Sequence, residues 1–100
     1  MANVREIAVK LLCDLEESKA YSNLALNKII TQNNLSSMDK GLLTALFYGV
    51  LDRKITLDFI ISNFVKTPLS KIKPTTKQAL RIAIYQIMFM DKIQIGRAHV

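Results

Sequence analysis

The sequence predicts an all-α fold, a bundle of about five helices. Three observations carry that expectation. Apolar residues recur at helical spacing over most of the chain, and no stretch alternates with the period of two that marks a strand. Two prolines and three glycines in 100 residues leave long uninterrupted runs. One of these runs, "GLLTALFYGVL", is apolar over most of its circumference, which marks a helix enclosed by others.

The first helix is expected to open at "NVRE", where Asn3 can cap and Glu6 stands at capping-box spacing. Val4, Ala8, Leu11, Leu12 and Leu15 then share one face. A second helix follows Ser22, with Leu26, Ile29 and Ile30 turned inward, and is expected to fray at "TQNN". Ser36 and Asp39 in "SSMD" signal the start of the third. There Leu42, Leu43, Ala45, Leu46, Phe47, Val50 and Leu51 surround the axis, leaving Lys40, Thr44, Tyr48 and Asp52 as its wet side, so this helix should be the centre of the bundle.

A fourth helix is expected from Thr56, burying Leu57, Ile60, Ile61, Phe64 and Val65, and Pro68 ends it. "TPLSKIKPTT" reads as a basic connector. The fifth helix should open at Thr75 or Thr76 and run to about Met90. Its wheel separates an outer stripe, Lys77, Arg81 and Tyr85 with Gln78 beside it, from an inner arc of Leu80, Ala83, Ile84 and Ile87.

Composition narrows the function. Fourteen basic against eight acidic residues give a net charge of +6, which favours partners with negative surfaces, RNA or DNA first, with acidic proteins and anionic membranes also open. The longest late apolar run, "IAIYQIMFM", falls far short of the roughly 20 residues that cross a bilayer. "MANVREIAVKLLCDLEE" has no uninterrupted apolar signal core, and a lone cysteine makes no internal disulfide, so a soluble protein of the cytoplasm is expected.

Catalytic signals are poor. The sequence has one histidine, one cysteine, and no HxxxH, CxxC or glycine-rich phosphate loop. Asp14, Glu16 and Glu17 read as a solvated acidic face, and Cys13, beside Asp14 and opposite the apolar face of its helix, as an inert thiol. Catalytic, cofactor-binding and metal residues are therefore all expected to be none. The cations say more. Lys66, Lys71, Lys73, Lys77 and Arg81 follow one another without an intervening acid. Lysine and arginine neutralise phosphates, and arginine or tyrosine planes stack on exposed bases. The candidates for RNA contact are Lys71, Lys73, Lys77, Arg81 and Tyr85, followed by Arg5, Arg53 and Lys54. The residues alone leave two readings open: a phosphate-binding stripe, or a solvated helix face in which Arg81 supports packing. Arg53 and Lys54 also suit the end of the third helix as complements of its dipole, and Met88, Phe89 and Met90 read as core.

"AYSNLALNKII", "DKGLLTALFYGVLDRKITLDFIISNF" and "ALRIAIYQIMFMDKI" occur in the order of, and resemble, the NusB-like N-terminal domain of RsmB-type (Sun or Fmu) ribosomal RNA small subunit methyltransferases. The resemblance runs over residues 3–93, and the predicted domain is residues 1–93. It implies a helical RNA-binding module that is not itself an enzyme, incomplete at its C-terminus. In the full-length family, S-adenosylmethionine and the nucleophilic cysteine belong to a separate domain that methylates carbon 5 of a cytosine in small-subunit ribosomal RNA. The related alternative is the NusB transcription antitermination factor, which implies RNA and a ribosomal protein as partners. "AYSN", "FYGVLDRK" and Tyr85-Gln86 in place of "YE" favour the methyltransferase subgroup.

After "DKI" the family pattern expects proline and a further helix, and this chain has "QIGRAHV". "IGRAHV" is one reading frame of a widely used short-read sequencing adapter, so residues 94–100 are expected to be a non-native read-through tail, with no functional weight on Arg97 or His99. A cut there should leave Ile87 and Phe89 uncovered and the fragment prone to association.

Overall fold

The computed structural model describes residues 3–18 and 21–90. Among these there are five α-helices and no strand: α1 (Val4–Ser18), α2 (Ser22–Asn33), α3 (Ser37–Asp52), α4 (Lys54–Phe64) and α5 (Pro74–Tyr85). A 3-10 turn, Leu69–Lys71, interrupts the connector, and a π-helical segment, Gln86–Met90, prolongs α5. The expected tail, residues 94–100, lies outside the described residues.

The helix starts follow local hydrogen bonding. Asn3 Oδ1 accepts from the backbone N–H groups of Arg5 at 3.1 Å and Glu6 at 3.2 Å, satisfying two donors that the first turn leaves open. Ser36 Oγ does the same for the Asp39 N–H at 3.2 Å. α2 persists through the "TQN" expected to fray, because Asn33 Nδ2 donates to the Ile29 carbonyl and Asn34 ends the helix at φ 50°. Asparagine tolerates that left-handed conformation better than most residues.

α4 begins at Lys54, two residues before the expected Thr56. Arg53 alone, at φ −116° and ψ 20°, turns the chain between α3 and α4, and its carbonyl accepts from Leu57. α5 likewise starts at Pro74, whose missing N–H and fixed φ suit a first turn.

The core forms around α3. Leu43, Leu46, Phe47, Gly49 and Val50 are buried, joined by Val4, Ala8, Leu11 and Leu12 of α1, Leu57 and Ile61 of α4, and Ile82 of α5. Fully burying a Leu, Ile, Val or Phe side chain contributes roughly 1.5–3 kcal/mol. α1 packs on α3 and α5, and α4 on α5, whereas α2 rests mainly on α1 with Leu26 as its buried anchor. At Gly49 the close approach is obligatory, since a Cβ there would run into the ring of Tyr85.

Three expectations about faces fail, the first at Met88, read as core but 47 % exposed. Phe64 continues the Leu57–Ile61 face of α4 but is 77 % exposed. More consequentially, α5 is rotated from its expected setting. Gln78, Arg81 and Ile82 point into the molecule, while Ala83 is exposed and Ile87 is 63 % exposed. Leu80 and Ile84 are partly buried. Ile87 is thus uncovered, whereas Phe89 is half-buried against Tyr85.

Candidate nucleic-acid interface

The expected outer stripe on α5 is taken apart by its neighbours. Arg81 is 3 % exposed and forms a two-pronged pair with Asp58 of α4, Nε to Oδ1 at 2.7 Å and Nη2 to Oδ2 at 2.8 Å. Its Nη1 donates to Glu16 Oε2 of α1 at 2.9 Å and to Gln78 Oε1 at 3.3 Å. Gln78, 1 % exposed, returns a hydrogen bond from Nε2 to Glu16 Oε2 at 2.7 Å. Lys77 Nζ closes the cluster on Glu16 Oε1 at 2.9 Å, and Lys54 Nζ stands 4.0 Å from the same carboxylate. A planar guanidinium with its donors in a fork is well suited to tie two carboxylates from different helices.

The electrostatics agree with the geometry. Partial burial tends to raise the Glu16 carboxyl, but hydrogen bonds from Lys77, Arg81 and Gln78 outweigh it and bring its pKa down to about 2. Burial tends to lower Arg81, and its bonds to Asp58 and Glu16 outweigh that and raise it. Arg81 is therefore a fully engaged structural cation. This corrects the stripe: Arg81 and Lys77 are joined by Glu16 and Asp58, and Tyr85 lies against Gly49. Glu16 is not part of an idle acidic face. The missed partners left one signal in the sequence, Gln78, Arg81 and Ile82 at core spacing, but nothing that located Asp58 or Glu16 opposite them.

The other candidates form two groups. Lys71 and Lys73 are exposed on the connector, with no ion-pair partner among the described residues. Arg5 and Arg53, both exposed, flank the π-helical segment from two sides. Arg5 Nε donates to Gln86 Oε1 at 2.9 Å. The Arg53 guanidinium lies over the Phe89 ring, 4.5 Å from its centroid, and 5.8 Å from that of Tyr85. Phe89 and Tyr85 themselves stack, with centroids 5.7 Å apart and planes 25° from parallel. Single π-helical turns within α-helices frequently mark functional sites. Phe89, read from sequence as core, is thus part of a cation-capped aromatic pair.

Between α1 and α5 runs an open groove of about 900 Å³, floored by Val9, Ala79, Ile82 and Ala83. Its rim mixes Arg5 and Lys10 with Glu6 and Asp14, so it presents no single charge. Cys13 lines it too, and burial, with Asp14 and Glu16 beside it, pushes the thiol up and keeps it protonated. Among the described residues no three His, Cys, Asp or Glu side chains converge as metal ligands. No described helix is long and apolar enough to cross a membrane.

What the fold and surface define is a class: an α-helical, electropositive domain whose arginines and lysines are its chemically distinctive groups. The chain belongs to the NusB family, whose family model matches residues 2–96. It is 45 % identical over 91 residues to a protein described as a probable ribosomal RNA small subunit methyltransferase B from Bacillus subtilis, a match covering 91 % of this chain and 20 % of that protein. A protein of the same description from Synechocystis is 28 % identical over 98 residues, covering 98 % and 22 %. The transcription antitermination protein NusB of Acetivibrio thermocellus is 32 % identical over 90 residues, covering 89 % and 62 %. The chain thus spans about a fifth of the length of the methyltransferase relatives. No solved structure matches it.

Proposed function

We propose that the chain is the RNA-holding, non-catalytic module of a ribosomal RNA cytosine carbon-5 methyltransferase that uses S-adenosylmethionine in a separate domain. The observation that carries this reading is the 45 % identity to the Bacillus subtilis methyltransferase B, against 32 % to the Acetivibrio NusB protein. The net charge of +6 supports a polyanionic partner, small-subunit ribosomal RNA. Such a module holds RNA through its backbone, while the catalytic domain extrudes and methylates one base. Action in the cytoplasm follows from that partner and fits a single free thiol. The contacts fall to the exposed cations Lys71, Lys73, Arg5 and Arg53, with Lys54 at their margin.

A salt titration of binding to small-subunit ribosomal RNA fragments tests the reading. Affinity should fall steeply with salt, and Lys71→Glu with Lys73→Glu should weaken it and flatten the slope of log K against log salt by roughly 1–2. Unchanged binding in that double variant removes the connector from the interface. The second reading, an antitermination factor, is supported by the 32 % identity over 90 residues to the Acetivibrio NusB protein. It requires a ribosomal-protein partner, and a pull-down with purified ribosomal proteins separates the two.

A further inference from the structure

Two aromatic rings at the end of α5 back one exposed arginine. Tyr85 sits against Gly49, Phe89 stacks on Tyr85, and Arg53 lies over Phe89. Arg53 is exposed and forms no ion pair among the described residues, in contrast with Arg81. A guanidinium is planar and weakly hydrated on its faces, so it can sit between two π-systems while its edge N–H groups remain in water. Here the group rests on both rings at once, with Cζ 4.5 Å from the Phe89 centroid and 5.8 Å from that of Tyr85. The rigid backing is also in place: the π-helical segment sets Phe89 over Tyr85, and Gly49 lets the Tyr85 ring seat against α3.

We infer that Arg53, backed by Phe89 and Tyr85, is a stacking site for one unpaired RNA base. The base stacks on the solvent side of the guanidinium, away from the two rings, while an adjacent phosphate meets the guanidinium edge. This rests on the RNA-binding reading above and deepens it by predicting a preference for unpaired nucleotides. A duplex cannot use the site, because its bases are already stacked on one another. A cation serving only phosphate would make no such distinction.

The test uses the full chain and a short fluorescent oligoadenylate, alone and as a duplex with its complement. Arg53→Lys keeps the charge and loses the plane. It should bind the single strand about tenfold more weakly than the unsubstituted chain and bind the duplex equally well. Phe89→Leu, which removes the ring beneath the guanidinium, should show the same selective loss, with thermal melting confirming that the variant is folded. If Arg53→Lys binds the single strand as tightly as the unsubstituted chain, or weakens both forms equally, the stacking site is overturned and the RNA-binding reading stands. If the unsubstituted chain binds neither form, both fall.

Discussion

Two arginines bracket what this domain does with positive charge. Arg81, in the middle of α5, is buried and bound on every side by Asp58, Glu16 and Gln78. Arg53, at the junction of α3 and α4, is exposed and touches only aromatic rings among its described ionic and π contacts. The same side chain is a clamp in one place and an open face in the other. The difference comes from the acids nearby, not from the arginine or its helix. A count of cations along a basic stretch therefore overstates what a polyanion can reach.

The largest effect should come from breaking the clamp. Arg81→Met leaves Asp58 and Glu16 without their shared partner, and removing one member of a buried pair is strongly destabilising. Because both carboxylates keep some access to solvent, a loss of about 2–4 kcal/mol is expected from urea denaturation. Gly49→Ala should follow, at about 1–3 kcal/mol, since its methyl group displaces the Tyr85 ring and with it the base of the aromatic stack.

Titration sharpens the same contrast. The Glu16 carboxyl is held at about 2 in the folded chain against an ordinary value of 4.5. Its contribution to stability is present above pH 4.5 and is lost as pH falls towards 2, because the unfolded chain takes up the proton first. Melting temperature measured across that window should fall with pH, and Glu16→Gln should make the fall shallower. The smallest stability effect belongs to Arg53→Lys. At an exposed site it should alter unfolding free energy by no more than about 0.5 kcal/mol.

Much of the fold could be read in the residues because α3 is apolar nearly all round, and such a helix has to be central. The Asn3 and Ser36 caps were equally plain, since each places a side-chain oxygen beside the first turn's open N–H groups. The rotation of α5 was not. Its wheel carries apolar side chains on two arcs, and polarity alone placed Lys77 and Arg81 outside. What turns Arg81 inward is a pair of carboxylates on α1 and α4, far away in sequence, whose convergence is a property of the packed bundle. The charged surface was legible to the same degree. Lys71 and Lys73 are exposed, as a charge count expects, whereas the cluster of Arg53 with Phe89 and Tyr85 depends on the one-residue turn between α3 and α4 and on the π-helical segment.

The most direct measurement compares Arg81→Lys with Arg53→Lys in single-stranded RNA binding, by anisotropy titration at a temperature where melting curves show both variants folded. Both substitutions preserve charge and remove the planar fork. Arg81→Lys should bind as the unsubstituted chain does despite a lowered melting temperature, and Arg53→Lys should bind about tenfold more weakly with its melting temperature nearly unchanged. A folded Arg81→Lys protein that loses as much RNA affinity as Arg53→Lys, or more, would contradict the division between clamp and open face.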